Sequence, residues 1–217
     1  MSLEPVAPSA APVRKKTAIW PYVLGGVGVA ILSVAALVGL VFAYLAAAKP
    51  MTVTEADRAL LVTTDDLVPR LEGFSPQPSI EKLTKKKGLD GTIELEYLYD
   101  LSNRGLYLAS MVTTDTTASS AKATYTSLRV GQGLGLSIAG DSGTKMEERD
   151  DLFTWGDESR TALITNKGKP VGNVFTARKG RHSYTFVLVG VYFDSNETLS
   201  DLLLPKLERL ATNMTVP

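Results

Sequence analysis

From Val23 to Ala43 the chain carries no charged side chain, and Ser33 is the only hydroxyl-bearing residue inside that run. At 1.5 Å rise per residue, about 20 apolar residues match the roughly 30 Å of bilayer hydrocarbon. Residues 18–48 are therefore expected to form one transmembrane signal-anchor helix. Trp20 and Tyr22 at one end and Tyr44 at the other fall where amphipathic rings favour the headgroup interface. Arg14, Lys15 and Lys16 precede the run, and Lys49 alone follows it closely. The positive-inside asymmetry puts residues 1–17, a short disordered tail rich in Ala and Pro, in the cytoplasm, and residues 49–217 on the periplasmic or extracellular side of the plasma (inner) membrane. A signal peptide cleaved after Ala46-Ala47-Ala48 is the alternative, but the apolar run is longer than the usual 7–15 residues of a cleavable segment. Ala35, Gly39, Ala43 and Ala47 recur every four residues and so share one helix face. Small residues in that register let two backbones approach, which makes the stripe a candidate homodimer seam as well as plain lipid-facing filler.

Past Met51 the pattern breaks into short amphipathic units. Thr54 precedes a short helix ending near Leu61, and Thr63-Thr64-Asp65-Asp66 supplies a cap and first-turn carboxylates for a second one. From Thr92 apolar Ile93, Leu95, Tyr97 and Tyr99 alternate with polar neighbours, the period of a strand with one wet face. Ser102-Asn103-Arg104-Gly105 is turn chemistry, and Leu106–Thr113 is the return strand of a hairpin. Ala118, Ala121, Tyr125 and Leu128 mark an amphipathic helix from about Asp115 to Val130. Three strands follow near Lys145–Arg149, Arg160–Thr165 and Val171–Arg178. The run His182–Phe193, the most apolar of the domain, reads as a central strand covered on both faces. Leu199, Leu203, Leu207, Leu210 and Met214 build a closing helix, bent or started by Pro205. The expected fold class is α+β: behind the membrane helix, a two-layer domain with an antiparallel sheet packed by at least two helices.

Charge and composition narrow the chemistry. From Met51 onward 19 basic residues face 22 acidic ones, a net of −3, so no basic field gathers nucleic acid. There is no cysteine, hence no disulfide framework, thiolate zinc site or cysteine nucleophile.

The remaining motifs read more simply as structure than as chemistry. Gly131-Gln132-Gly133-Leu134-Gly135 resembles a dinucleotide loop but follows a helix, where the fingerprint requires a preceding strand. Gly131, Gly133 and Gly135 are expected to form a mobile loop ending that helix. Ser137 lies in an incomplete nucleophile elbow, with His182 the only histidine available as a base. Glu147, Glu148, Asp150 and Asp151 concentrate carboxylates, but no glycine-turned loop gathers them around calcium. Lys85-Lys86-Lys87 suits the guarding of a strand edge. No enzyme, cofactor or metal is expected.

Four segments resemble bacterial membrane- or lipid-anchored extracytoplasmic domains with a PsbP-like α+β sandwich. They are Leu60–Leu67, Trp155-Gly156-Asp157-Glu158-Ser159, Arg178-Lys179-Gly180 and the closing Leu-rich helix. Understood members of that class mostly bind proteins or ligands, and this chain lacks the lipidation cysteine of the lipoprotein members. The resemblance carries no functional residue over. The leading expectation is a bilayer-anchored protein whose outer domain binds a partner, as an accessory subunit of an envelope complex. The alternative is a sensor or carrier holding a small apolar ligand between sheet and helices, gated at Gly131–Gly135.

Overall fold

Alternation in the sequence becomes a single sheet. The structure, a computed structural model, describes residues 48–101, 106–139 and 143–213, all within the unit Ala47–Pro217. The orientation charges Arg14, Lys15 and Lys16, the interface residues Trp20, Tyr22 and Tyr44, and the stripe Ala35, Gly39, Ala43 and Ala47 lie outside the described residues. Among the described residues eight strands are present: β1 (Lys49–Pro50), β2 (Glu81–Lys87), β3 (Ile93–Leu101), β4 (Leu106–Thr114), β5 (Thr144–Glu148), β6 (Glu158–Asn166), β7 (Lys169–Lys179) and β8 (His182–Val189). They pair antiparallel in the order β1-β2-β3-β4-β8-β7-β6-β5. The most apolar run of the domain thus supplies β8, in the middle, between β4 and β7.

The helices are α1 (Glu55–Arg58), α2 (Thr64–Leu67), α3 (Ala118–Ala139) and α4 (Asn196–Asn213). Thr54 and Asp57 close a capping box on α1, and Thr63 and Asp66 do the same on α2, satisfying backbone donors that a helix start leaves open. Ser195 takes the Thr198 amide at 3.2 Å ahead of α4. Pro205 lies inside that helix; the helix neither starts nor ends there.

One face of the sheet carries Leu95, Tyr97 and Tyr99 of β3, Leu108 and Val112 of β4, Phe175 and Ala177 of β7, and Tyr184, Phe186 and Leu188 of β8. These are buried in one cluster with Leu61, Val62 and Leu67, with Leu152 and Phe153, and with Leu199, Leu203, Leu207 and Leu210 of α4. The opposite face meets α3, whose Ala121 carbonyl accepts the Ser183 hydroxyl at 3.4 Å.

The expected fold class is therefore corrected. One eight-stranded antiparallel sheet dominates the described residues, and its two long helices lie on opposite faces instead of sharing one layer. Amphipathicity shows that a helix buries one stripe; it does not say on which side of the sheet. No helix among the described residues is long and apolar enough to cross a membrane, so the transmembrane part of the expectation has no counterpart there. The loop expected at Gly131, Gly133 and Gly135 is helical, since α3 runs to Ala139. Each helical glycine costs only about 1 kcal/mol relative to alanine, a propensity that tertiary context readily overrides.

Three tyrosine hydroxyls fasten the segment before β2 to the first face. The Thr64 amide donates to the Tyr97 oxygen at 3.2 Å, Tyr97 donates to Thr64 Oγ1 at 3.0 Å, and Thr64 donates to Glu81 Oε1 at 2.6 Å. The Gln77 amide donates to Tyr99, and Ser110 Oγ links the Val62 amide to the Tyr184 hydroxyl. Burial pushes the Tyr97 phenol up to about 12. It stays protonated and available as a donor.

Candidate functional site

The connection from β4 into α3 places an acid between the sheet and the helix. Asp115 follows β4 directly, and its amide donates to the Arg181 carbonyl at 2.9 Å, which fixes it against the β7–β8 turn. Thr117 then caps α3, its Oγ1 accepting the Ser120 amide at 3.0 Å while Ser120 Oγ accepts the Thr117 amide. The turn between β2 and β3, closed by the Gly91 amide on the Gly88 carbonyl, brings Asp90 to the same end. Gly91 has φ +86° and its missing Cβ would stand 3.1 Å from Thr116 Cγ2, so the close approach of the two turns favours glycine.

From there an open groove of about 670 Å³ runs along α3. Its helical wall is the stripe Ser120, Thr124, Ser127 and Gly131, with Ala123 and Leu128 beside them; its floor is Thr185 and Val187 of β8, and Asp90 and Asp115 close the end. Among the described residues no lysine or arginine lines it. The stripe spans twelve residues, eleven rises of 1.5 Å, hence roughly 17 Å.

Two buried polar atoms here have no hydrogen-bond partner among the described residues: Asp115 Oδ2 and Thr185 Oγ1. Asp115 is 4% exposed and Thr185 8%. The other Asp115 oxygen accepts from Thr124 Oγ1 at 3.1 Å. Leaving a buried acceptor or donor unpaired costs about 1–3 kcal/mol, more for a charged group. The grooves beside α4 and around β5 include none of the unpartnered buried atoms.

Burial raises the Asp115 carboxyl above its ordinary 3.8; the Thr124 hydroxyl draws it partly back, and the Asp90 charge adds to the rise. A raised value in the folded state means that the acid form favours folding. That stability is complete below 3.8 and is lost as pH climbs through the raised value. Urea unfolding should therefore give Asp115→Asn a flatter stability profile than the parent across this window; parallel profiles would show that the carboxyl titrates as it does in the unfolded chain. Thr185→Val removes a hydroxyl that bonds to nothing and keeps the shape, so the same measurement should show a gain of about 1 kcal/mol. A loss would mean that the hydroxyl is satisfied in solution.

The other sequence candidates are structural. His182 Nδ1 lies 2.9 Å from Thr114 Oγ1, and burial, then Arg181, lowers its imidazole below the ordinary 6.5. The carboxylates near β5 disperse: Glu148 pairs with Arg160 at 2.8 Å, Asp151 with Arg149 at 2.8 Å, and Asp150 accepts the Thr161 amide. Among the described residues no three potential metal ligands converge. Trp155–Ser159 and Arg178–Gly180 meet each other. Asp157 Oδ2 accepts from the Gly180 amide at 2.9 Å and pairs with Arg178 at 3.1 Å, and Lys179 Nζ stands 5.3 Å from the Trp155 ring centre. Sequence reasoning singled out Gly131 of the groove but missed Asp115 and Thr185. Nothing in their local pattern sets Asp115, just past β4, or Thr185, within β8, apart from other polar residues in and beside strands.

Comparison with protein-family models, with curated proteins and with solved structures finds no match.

Proposed function

We propose that residues 49–217 are a small-ligand sensor or carrier domain, attached to a membrane through the 18–48 stretch and exposed on its non-cytoplasmic side. The observation that carries the ligand reading is the groove beneath α3, where two buried polar atoms lack partners. Native structures pair most buried polar groups, so each unpaired one calls for a partner. Arg160 Nε and Arg178 Nε are the other two among the described residues, and they lie outside the groove. The groove is open and largely pre-formed, as small-molecule sites usually are. The membrane attachment rests on the apolar run Val23–Ala43 and on Arg14, Lys15 and Lys16 before it.

A fragment screen followed by amide NMR on the full chain in lipid nanodiscs tests the ligand reading. Shifts should cluster at Thr124, Leu128, Thr185 and Val187 and vanish in Ser127→Trp, which fills the groove from an exposed position. Shifts that ignore this variant would remove the reading.

A second reading is supported by the second face of β3, β4 and β8. Leu98, Ala109 and Val187 form one rung there, and Met111 lies on the next. All four are only partly buried, as suits a surface that docks an envelope protein. Crosslinking in cells from Leu98 and Met111 would capture that protein; crosslinks confined to lipid would not fit it.

A further inference from the structure

We infer that the groove takes a protonated organic amine with an apolar body, its ammonium group seated at the Asp115 and Thr185 end. This rests on the proposed ligand-binding reading and specifies its chemistry. Three observations carry it. First, the unpartnered buried atoms include a carboxylate oxygen, Asp115 Oδ2, which accepts hydrogen bonds when ionised, and the Thr185 hydroxyl, which can accept as well. A ligand that recovers them must donate. Second, the group whose buried oxygen lacks a partner at that end is a carboxylate, with Asp90 lining the same end, and among the described residues no lysine or arginine lines the groove. An anionic head would meet two carboxylates, whereas an ammonium supplies three donors and the missing charge. Third, away from that end the lining is Ala123, Ser127, Leu128, Gly131 and Val187, which offer contact to an apolar body, one hydroxyl and no second charge. A polyamine would leave its inner nitrogens against these groups.

The remaining bonding capacity around Asp115 fits the same assignment. Its Oδ1 is already held by Thr124, so the carboxylate is oriented before a ligand arrives. Ser120 Oγ is engaged in the cap of α3. The buried unpartnered atoms of the groove are Oδ2 and the Thr185 hydroxyl, which suits one compact head group.

The test is calorimetric titration of the full chain in nanodiscs with 2-phenylethylamine, with its neutral counterpart 2-phenylethanol, and with 3-phenylpropionate. The amine should bind, the alcohol about tenfold more weakly or less, and the carboxylate weakest, since hydrogen bonds to charged groups are roughly twice as strong as neutral ones. Empty nanodiscs set the baseline for partition into lipid. Asp115→Asn should lower amine affinity about tenfold while leaving the alcohol unchanged, and Thr185→Val, which preserves shape, should lower amine affinity by a smaller factor. If the alcohol equals the amine and both variants leave the ratio unaltered, the amine assignment is overturned although the groove still binds. If none of the three compounds binds above the lipid baseline, or if Ser127→Trp leaves binding intact, the groove reading fails with it.

Discussion

Phe175→Ala is expected to lower the unfolding free energy by about 3–5 kcal/mol, the range for removing a phenyl ring from a packed core. Phe175 is fully buried at the centre of β7. Its ring lies 5.1 Å from that of Phe153 at an interplanar angle of 61°, and 6.4 Å from that of Tyr184. Phe186 stands opposite it on β8 and Thr161 on β6. Paired strands on both sides cannot close inward without breaking their ladders, so most of the cavity should persist. Against a total stability of about 5–15 kcal/mol typical of a domain, that loss leaves little in reserve. Urea unfolding should show a lower midpoint with an unchanged slope. Val130→Ala, at a 59% exposed site on α3, should change stability by less than about 0.5 kcal/mol. Equal effects at the two positions would mean that the ring does not organise the core.

The legibility of this fold follows the strength of each local signal. Strands β3, β4, β6, β7 and β8 could be read because their apolar positions alternate or run continuously between turn residues, and α3 and α4 because theirs recur at three and four. Strand β2 was not legible. Its sequence, Glu-Lys-Leu-Thr-Lys-Lys-Lys, has too few apolar positions to show a period, and what makes it a strand is its ladder with β3. The layering was misread although the sequence held a clue: the apolar run at β8 needs cover on both faces, and one layer of helices cannot give that. Thr161 to Thr165 and Gly172 to Ala177 are buried throughout, as a sheet covered on two sides requires. The groove was not legible: Gly131 stands in its helical wall, where the sequence suggests a mobile loop. Asp115 and Thr185 lie 70 positions apart, and what makes them notable is the partner each lacks, a property of the assembled layers.

Gly172→Ala should cost about 3 kcal/mol or more, at the upper end for forcing extra volume into a packed interior. The reason is the backbone of β8, not the conformation of the glycine itself. A Cβ at this position would run into the Leu188 carbonyl oxygen and would stand 3.1 Å from Val189 Cα and 3.2 Å from Ile164 Cδ1. Neither main-chain atom can turn aside as a flexible side chain could. The position is set by a register shift between β6 and β7: Ile164 faces Gly172 while Thr165 faces Pro170, which leaves Val171 as the extra residue. The Val171 carbonyl accepts the Gly190 amide at 2.7 Å, so the bulge is tied to the end of β8 and the strands cannot slide apart there without loss. Gly168→Ala makes the informative contrast. Gly168 sits at φ +77° with open space where its Cβ would go, so that variant carries only the strain of a left-handed residue, about 1–2 kcal/mol. Amide exchange should separate the two, with protection falling along β7 and β8 in Gly172→Ala and only near the turn in Gly168→Ala. If Gly172→Ala proves no worse than Gly168→Ala, the close approach of β7 and β8 is not what demands glycine, and the bulge must relax to admit a methyl group.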